Sequence, residues 1–483
     1  MADIRKKLLG KFNAQNSYAN FGSYIQEIEI DGFRGIFGLT FKIEFPVTAI
    51  SGTNGAGKST IGQIAVCGYR KPITDKIYRR RYVKDFFPQS DTLDPDPFTA
   101  NAKIVYRYAT NTKAPQQLTV SRKNVEWSGY KRQPERHCFY VGFAAYIPKI
   151  ERRGISIYNS KNLQLTDRRE ITPETKQKVA NILSTDYDEI WFQGISAKEK
   201  SNEIGMVSRY GYSYSENNMG FGEGRLLYIV DLMENEPDNS LFVLEEPETS
   251  LHGDAQYKFI KYLMDVADRK GHQIILSTHS STMLEALPPE GRKFVTRDRK
   301  GVKVYDRMSA YRAKSILTNG QEKALTICVE DLFAQSLLSE IIRIHRPGLI
   351  NNICIAPIGD KDAVAKMVLR LKEINIRSIG VRDADVGENI EKDLYSFPGE
   401  FPPEKEVFLN SNVQNFLNST NCIDVSEIIN TSENIDHHDY SKVLSQRAST
   451  SKQILEIDAI REYIKTKKVA FFEPLLNNID QII

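Results

Sequence analysis

A glycine-rich stretch, residues 52–59, is the clearest chemical feature of the sequence. It reads Gly-Thr-Asn-Gly-Ala-Gly-Lys-Ser and lies between the β-prone run Val47 to Ser51 and a predicted helix. In the pattern GxxxxGK[ST], glycines let backbone N–H groups surround phosphate oxygens, the lysine neutralises those oxygens and the hydroxyl ligates Mg²⁺. The stretch therefore predicts a site for the phosphates of a nucleotide. The predicted binding residues are Asn54, Gly55, Ala56, Gly57, Lys58, Ser59 and Thr60, with Ser59 also a metal ligand.

Two adjacent carboxylates end the apolar run Leu241 to Leu244. Glu245 stands where an acid usually holds the Mg²⁺ of such a phosphate site, and Glu246 where a base orients the attacking water. His279 follows a second apolar run, Gln273 to Leu276, and is predicted to contact the terminal phosphate. A histidine at a strand end is often structural, but the motifs before this one favour a functional role. Together these residues predict hydrolysis of the bound nucleotide.

Acidic residues also end two predicted strands near the C-terminus. Glu330 follows the first strand, and Asp383 and Asp385 follow the second. Because the carboxyl ends of parallel strands gather at one edge of a sheet, the three side chains are predicted to converge. Oxygen-only ligands suit Mg²⁺ or Mn²⁺, which can activate water and stabilise the leaving oxygen of a phosphodiester. The alternative is that these acids only cap helices and turns.

The elements that position these groups alternate between strands and helices, which predicts the α/β class with a largely parallel sheet in each of two units. Residues 24–30 and 41–45 alternate in hydropathy and predict a strand pair at the start. The further predicted strands are 47–51, 102–106, 241–244, 273–276, 325–329, 353–357, 378–381 and 407–409, and the helices are 226–232, 256–268, 332–343 and 362–371.

Composition narrows the class of protein. The chain has 483 residues, of which 41% are hydrophobic and 26% charged, so it is long enough for several domains and is not disordered. No apolar run approaches the roughly 18 residues that span a bilayer, and the N-terminal residues lack the apolar stretch of a secretory signal. We therefore expect a cytoplasmic protein with no membrane association. Five scattered cysteines with no CxxC spacing predict neither a disulfide framework nor a zinc site.

The net charge of +3 is the sum of two unlike parts. Residues 1–320 carry 47 basic and 37 acidic residues, whereas residues 321–483 carry 18 and 25. Within the first part, residues 70–84 hold seven Lys/Arg and one Asp with Tyr78 and Tyr82 among them, a pattern that could follow a nucleic-acid backbone. A solvated loop or a protein contact remains an equal alternative.

A glycine-rich turn, Gly220-Phe-Gly-Glu-Gly-Arg225, precedes the predicted helix 226–233. The phosphate loop, this turn, the acid pair and His279 follow one another along the chain. In this order they resemble the ABC-type ATPase head of the SMC and recombination-repair ATPases and of the OLD (overcoming lysogenization defect) nucleases. The resemblance covers residues 24–310. It implies ATP as the cofactor, a signature loop with Gly222, Glu223 and Gly224, a D-loop at residues 247–252, and a homodimer or higher even-numbered oligomer formed through the heads. Gln89 is the candidate for the Q-loop glutamine.

Residues 321–420 resemble a Toprim domain, the catalytic fold of topoisomerases, primases and OLD nucleases. The resemblance rests on Glu330, then Gly359-Asp360, then Asp383-Ala-Asp385. It departs from the pattern at Asp331, where glycine is common, and at Gln414, where OLD nucleases carry a glutamate that supports a second metal. The resemblance also implies a C-terminal lysine that stabilises the transition state. Lys452 is the first candidate; its rivals are Lys442, Lys465, Lys467 and Lys468.

The two resemblances together imply an OLD-family protein with an ABC-type ATPase domain (1–320), a Toprim-like nuclease domain (321–425) and a helical segment (426–483) that completes it. The implied activity is ATP-regulated, Mg²⁺-dependent or Mn²⁺-dependent DNA cleavage, as in antiphage defence effectors of the Gabija or retron kind. The implied partners are DNA and an operon-encoded helicase, or a reverse transcriptase with its DNA. The alternatives are an ATP-switched scaffold whose second domain does not cleave, which Gln414 favours, and a DNA-repair ATPase, which the lack of a long coiled coil disfavours.

Overall fold

The computed structural model describes residues 3–13, 15, 17–72, 80–90, 92–112, 114–142, 163–197, 200–431 and 436–483. The chain divides into two compact units, residues 1–313 and 314–483. Within the described residues, no helix is both long and apolar enough to cross a membrane.

A six-stranded mixed sheet forms the centre of the first unit. Its strands, in chain order, are β3 (Val47–Gly52), β7 (Cys138–Val141), β12 (Leu241–Glu245), β13 (Gln273–Ser277), β14 (Arg292–Asp298) and β15 (Gly301–Asp306). They lie in the order β15-β14-β3-β13-β12-β7, and all neighbours are parallel except β14 and β15. Every residue of β3 is buried, as expected for a strand covered on both faces. The carboxyl ends of β3, β12 and β13 therefore lie at the same edge.

Two antiparallel sheets complete the first unit. The first contains β1 (Ile25–Phe33), β2 (Leu39–Lys42), β4 (Phe98–Tyr108), β5 (Gln116–Lys123) and β6 (Glu126–Ser128), in the order β2-β1-β4-β5-β6. The predicted strand pair at the start is thus present as β1 and β2, although the second strand begins two residues earlier. The other sheet contains β8 (Gln164–Glu170), β9 (Glu189–Ala197), β10 (Lys200–Arg209) and β11 (Tyr212–Ser215), paired in chain order.

The helices of the first unit pack on these sheets and on one another. They are α1 (Ile4–Phe12), α2 (Ser17–Phe21), α3 (Lys58–Val66), α4 (Val83–Phe86), α5 (Pro173–Leu183), α6 (Phe221–Asn235), α7 (Gly253–Lys270) and α8 (Ser281–Ala286), and α9 (Ala310–Leu317) spans the division between the units. One boundary differs from the prediction, because α6 begins at Phe221 rather than after Arg225. Gly222 lies in the first turn of α6. A Cβ there would come within 2.4 Å of the Ser250 carbonyl oxygen, so only glycine fits.

A four-stranded, fully parallel sheet forms the centre of the second unit. Its strands are β16 (Leu325–Val329), β17 (Ile353–Pro357), β18 (Ser378–Arg382) and β19 (Leu394–Ser396), in the order β17-β16-β18-β19. The prediction of a strand at 407–409 was wrong. Val407 and Phe408 belong to the short helix α12 (Pro403–Phe408), where they form its buried face, and the fourth strand is β19.

Helices cover this sheet and share its core. They are α10 (Leu332–His345), α11 (Lys361–Glu373), α12, α13 (Ser411–Asn421), α14 (Val425–Thr431), α15 (Tyr440–Arg447), α16 (Lys452–Thr466) and α17 (Val469–Ile482). A single apolar cluster extends from strand residues such as Ile327 to Leu444, Leu455 and Ile479 of the last helices. The C-terminal helices are therefore part of the same hydrophobic core as the sheet.

Candidate functional site

The glycine-rich loop joins β3 to α3 at the carboxyl edge of the central sheet. Gly52 has φ +148°, and a Cβ there would lie 2.0 Å from the Val295 carbonyl oxygen, so no other residue fits. Gly57 has φ +105° and precedes the first turn of α3. This left-handed backbone directs the N–H groups at the start of α3 towards the loop, where the helix dipole favours an anion.

Lys58 holds the loop closed. Its ammonium group, on a side chain that is largely buried, donates to the carbonyl oxygens of Gly52 at 2.9 Å and Thr53 at 3.1 Å. Burial lowers the pKa of Lys58, while the charges of Glu246 and Glu248 oppose that shift. A bound polyphosphate would offer charged oxygens in place of these neutral carbonyl acceptors. The Lys58 ammonium group would then make stronger hydrogen bonds than it makes to the loop.

Glu245, at the carboxyl end of β12, has the properties of a metal ligand. Its Oε1 atom is buried and has no hydrogen-bond partner among the described residues. A buried carboxylate oxygen without a donor is unfavourable unless a cation or water neutralises it. A hydroxyl from Ser59 and a carboxylate from Glu245 form the hard oxygen donor set that fits Mg²⁺.

Glu246 and His279 face each other beside this position. The Oε1 atom of Glu246 lies 3.6 Å from Nε2 of His279, and Glu246 has a left-handed backbone with φ +43°. Burial lowers the pKa of His279, and the charge of Lys58 lowers it further. The imidazole is therefore neutral at neutral pH. The His279 side chain is about one-third exposed and that of Glu246 about half, so both are accessible to water and a phosphate.

Two residues of this site have roles that the sequence did not predict, although Arg225 ends the predicted signature segment and Glu248 lies in the predicted D-loop. Arg225 of α6 is almost fully buried and donates through Nη1 to the carbonyl oxygen of Glu246 at 2.9 Å and through Nη2 to that of Glu245. Glu248 is also buried, and its Oε1 atom accepts from the Thr278 hydroxyl at 2.6 Å and from the His279 amide at 2.9 Å. The first fixes the backbone of the acid pair and the second fixes the loop of His279.

Glu223, in the predicted signature segment, is hydrogen-bonded to two tyrosines of the first unit. One carboxylate oxygen accepts hydrogen bonds from the hydroxyls of Tyr187 at 2.7 Å and Tyr214 at 3.2 Å. Tyr187 lies just before β9, and Tyr214 belongs to β11. The sheet of β8 to β11 is therefore linked directly to the start of α6. Gly224 lies in the same turn, where its amide donates to Gly220. Gln89, the Q-loop candidate, is exposed and donates to Asp96 at 2.8 Å.

In the second unit, Glu330 and Asp383 come together as the sheet order requires. The backbone amide of Asp383 donates to Oε1 of Glu330 at 3.1 Å. Burial raises the pKa of Asp383 to about 7, and the neighbouring charges of Glu330, Asp331 and Asp385 add to the effect. Burial likewise raises the pKa of Glu330. Asp385 lies at the exposed side of this group, in the turn that follows β18.

Acids that repel each other at a strand edge fit a divalent cation. Removing a like charge or adding a cation relieves the repulsion that raises these pKa values. The ligands offered by Glu330, Asp383 and Asp385 are all oxygens, which suits Mg²⁺ or Mn²⁺.

The sequence did not identify Glu404, His437 and His438 as neighbours of these acids. Glu404, in the first turn of α12, is 3% exposed, and its Oε1 atom lies 3.1 Å from Nδ1 of His438. That same nitrogen lies 3.5 Å from Oδ2 of Asp331. The fold of α12 and the turn before α15 creates this arrangement, and no sequence spacing signals it.

The other C-terminal candidates have different surroundings. Gln414 donates through its amide to the Phe408 carbonyl oxygen at 3.0 Å, so it holds the end of α12. Lys452 opens α16, is about half exposed and lies 3.4 Å from Glu456. The rival lysines also lie on the helical part of the unit. Lys465 pairs with Glu462 at 3.0 Å, Lys467 lies over the rings of Tyr463 and Phe471, and Lys442 and Lys468 are exposed.

The basic segment 70–84 is described at its two ends, and residues 73–79, including Tyr78, lie outside the described residues. The Arg80 guanidinium lies over the rings of Tyr82 and Tyr130, at 4.8 and 5.7 Å from their centroids. A cavity of about 650 Å³ next to Tyr130 is lined by Trp127, Lys131 and Arg132. Aromatic faces and cations thus lie together on this surface, a combination that suits unpaired nucleotides.

Comparison with known proteins identifies part of the first unit. Residues 145–284 match a family model described as an AAA ATPase domain. The matched range contains Glu245, Glu246 and His279, whereas the glycine-rich loop lies before it. This unit carries an ATPase domain.

No curated protein matches the chain significantly. Among solved structures, the chain is similar to an SMC head domain from Thermotoga maritima, at 17% identity and a TM-score of 0.35, covering 59% of this chain and 98% of that one. It is also similar to an Smc head domain with an extended coiled coil, bound to the C-terminal domain of ScpA, from Pyrococcus furiosus. That match has 13% identity and a TM-score of 0.38, and covers 61% and 99% of the two chains.

Proposed function

We propose that the protein is an ATP-regulated, divalent-metal-dependent DNA endonuclease of the OLD kind, in which the ATPase domain controls a Toprim-like domain. The observation that carries this proposal is the contact between Glu330 and Asp383 at the carboxyl edge of a fully parallel sheet, in a unit separate from the ATPase. Carboxylates gathered in this way serve metal-assisted phosphodiester hydrolysis.

In the ATPase domain, Lys58 and the start of α3 bind the phosphates, and Ser59 with Glu245 would hold Mg²⁺. The bound ion would neutralise charge on the phosphates. Glu246 orients and deprotonates the attacking water, and His279, as a neutral imidazole, hydrogen-bonds the terminal phosphate. Arg225 keeps the two glutamates in place through their backbone. Two heads joined across the nucleotide would bring Gly222, Glu223 and Gly224 of one copy to the ATP of the other, and this requires a dimer or a higher even-numbered oligomer.

In the second unit, Glu330, Asp383 and Asp385 would hold Mg²⁺ or Mn²⁺. Such an ion lowers the pKa of a bound water and neutralises the phosphodiester. Asp383 is the central residue because it is the most buried acid of the three and contacts Glu330. Lys452 is the proposed partner of the transition-state phosphate. The DNA substrate follows the surface formed by Arg80, Trp127 and Arg132 in the first unit.

The role we propose for this enzyme is that of an antiviral defence effector in the cytoplasm. In this role it acts with an operon-encoded helicase, or with a reverse transcriptase and its DNA. The proposal is tested by incubating purified protein with ATP, Mg²⁺ or Mn²⁺, and supercoiled, linear and single-stranded DNA. Cleavage that is lost in Asp383→Ala and altered in Lys58→Ala supports it, and the absence of cleavage of every DNA, with and without the products of adjacent genes, contradicts it.

One observation favours a second candidate, an ATP-switched scaffold that does not cleave. Gln414 uses its amide to hold the Phe408 carbonyl oxygen, so position 414 offers no carboxylate for a second metal. Calorimetric titration with Mn²⁺ separates the two functions. Binding that disappears in Glu330→Ala supports the nuclease, and the absence of any binding supports the scaffold.

A further inference from the structure

The side chains of Glu404, His437 and His438 form a compact donor group in the second unit. One ligand atom from each lies within 4.8 Å of the others. The two imidazole rings are adjacent, with centroids 4.1 Å apart. A carboxylate and two imidazoles are a different donor set from the oxygen-only group of Glu330, Asp383 and Asp385, because imidazole nitrogen prefers transition metals to Mg²⁺.

The distances from His438 to its two carboxylate neighbours match a coordination sphere. A first-row transition metal binds nitrogen and oxygen at about 2.1 Å, so neighbouring ligands in an octahedron or a tetrahedron lie roughly 3.0 to 3.4 Å apart. The Nδ1 atom of His438 lies 3.1 Å from Glu404 Oε1 and 3.5 Å from Asp331 Oδ2. Small side-chain adjustments would therefore place one cation among these three atoms.

The orientation of His437 adds a second line of evidence. Its Nδ1 atom lies 2.9 Å from Oδ1 of Asp436. A carboxylate on one ring nitrogen fixes the tautomer and leaves Nε2 as the ligand, which is the usual arrangement of a metal-binding histidine. Asp436 is exposed, so this contact is not needed to satisfy a buried group.

The charges around the group also favour the binding of a cation. Glu404 is 3% exposed, and Asp331, next to it, is partly buried. Two neighbouring carboxylates repel each other, and Nδ1 of His438 lies between them. A divalent ion in that position would neutralise both carboxylates, whereas an imidazolium can supply a single positive charge.

We propose that Glu404, His437 and His438, together with Asp331, form a cation site that selects Zn²⁺ or Co²⁺ over Mg²⁺ and Mn²⁺. The site is built from α12, the N-cap of α10 and the turn before α15. It rests on the geometry of its own ligands, and the nuclease proposal is tested separately at Asp383.

The test uses the full chain and Co²⁺, whose visible absorption reports its ligands. Excess Mg²⁺ is present throughout to occupy the oxygen-only sites. We expect one saturable Co²⁺ per chain, displaced by Zn²⁺, with at least tenfold weaker binding in His437→Ala, His438→Ala and Glu404→Gln. Asp436→Asn should weaken binding by about tenfold through the tautomer of His437.

The controls separate this site from general metal binding. Asp439→Asn changes an exposed acid in the same turn whose side chain makes no capping bond, and it should leave Co²⁺ affinity within about threefold of the original. Asp383→Asn should also retain Co²⁺ binding, although it removes cleavage if the nuclease proposal holds. Co²⁺ binding that is absent, or unchanged in both histidine variants, overturns the proposal. Circular dichroism of each variant confirms that a loss is not caused by unfolding.

Discussion

The backbone amide of Asp383 donates a hydrogen bond to the carboxylate of Glu330 at 3.1 Å, and so joins the carboxyl ends of two neighbouring parallel strands. The bond holds the Glu330 carboxylate against the backbone of Asp383, although the two acids repel each other. Asp383 is the buried partner and Glu330 the more accessible one, so Asp383 is the first position to mutate.

Replacing Asp383 by Asn should abolish metal-induced stabilisation of the second unit without destabilising the metal-free protein. The variant removes one of several like charges, so the metal-free melting temperature should stay the same or rise. Thermal unfolding without Mn²⁺ and with Mn²⁺ at about ten times its dissociation constant measures both effects. At that concentration a bound ligand adds roughly 1.4 kcal/mol to the free energy of unfolding. A variant that is still stabilised by Mn²⁺ to the original extent would contradict the assignment.

Lys58→Ala should reduce ATP binding and hydrolysis by at least about 100-fold, because it removes the cation that faces the phosphates. Radiolabelled phosphate release and fluorescent nucleotide binding measure the two steps. Lys42→Ala, an exposed lysine on β2 of the same unit, is the matched control and should behave like the original protein. Equal activity in both variants would show that the phosphates bind elsewhere.

Arg225→Ala should lower both stability and turnover. It leaves two backbone carbonyls without their buried donor, at a cost of about 2 to 5 kcal/mol. Because these carbonyls belong to Glu245 and Glu246, we expect kcat to fall more than the affinity for ATP. Differential scanning calorimetry and steady-state kinetics check this. Arg297→Ala, which removes an exposed guanidinium that contacts the carbonyl oxygens of Arg34 and Gly55, serves as a comparison with a smaller expected loss of stability.

Acid should weaken the first unit through His272. This residue is fully buried, and burial lowers its pKa to about 4, although a hydrogen bond to the Met233 carbonyl oxygen opposes the shift. Below the ordinary histidine pKa of about 6.5 the unfolded chain takes up a proton that the folded chain refuses, so stability falls as the pH drops from about 6.5 to 4.

The full effect is about 3 kcal/mol over that range. Denaturant unfolding at stepped pH measures it, and His272→Gln should flatten the profile between pH 6.5 and 4, because glutamine can bond the same partners without titrating. An unchanged slope in this variant would assign the acid sensitivity to other groups.

Charge reversal at Lys131 and Arg132 should weaken DNA binding about tenfold or more and reduce the salt dependence by roughly two counterions. Trp127→Ala should add a loss of about 1 to 3 kcal/mol for single-stranded DNA and much less for duplex, because stacking needs an unpaired base. Fluorescence anisotropy at several salt concentrations measures both, with Lys42→Glu as the control for net charge. Unchanged DNA affinity in both the charge-reversal variant and Trp127→Ala would place the DNA elsewhere on the protein.

The sequence predicted the strands of the second unit well because buried parallel strands are short apolar runs between helices with clear periodicity. It failed at residues 407–409, where an apolar run of three residues is equally compatible with one turn of the helix that begins at Pro403. Leu394 to Ser396 was missed as a strand for the same reason, since three residues carry too little pattern.

Prediction of the candidate sites followed a similar division. Groups that directly follow a strand, such as Glu245 and Glu330, could be placed because the sheet order determines where strand ends meet. Arg225, Glu404 and His438 could not, because helix packing brings them to their partners and their spacing in sequence reflects no local rule. Long-range contacts of this kind depend on the whole core, which a single sequence does not reveal.

The position of β3 has a consequence for synthesis of the chain. Both sheet neighbours of this strand come much later, with partners at 274–277 in β13 and 292–295 in β14. A ribosome must therefore translate more than 240 further residues before the phosphate loop has the sheet that supports it. Until then the apolar strand has no partner, so the nascent chain should depend on chaperones and remain unable to bind ATP. ATP competence, and any toxicity that follows from it, is thus postponed until the ATPase domain has been made in full.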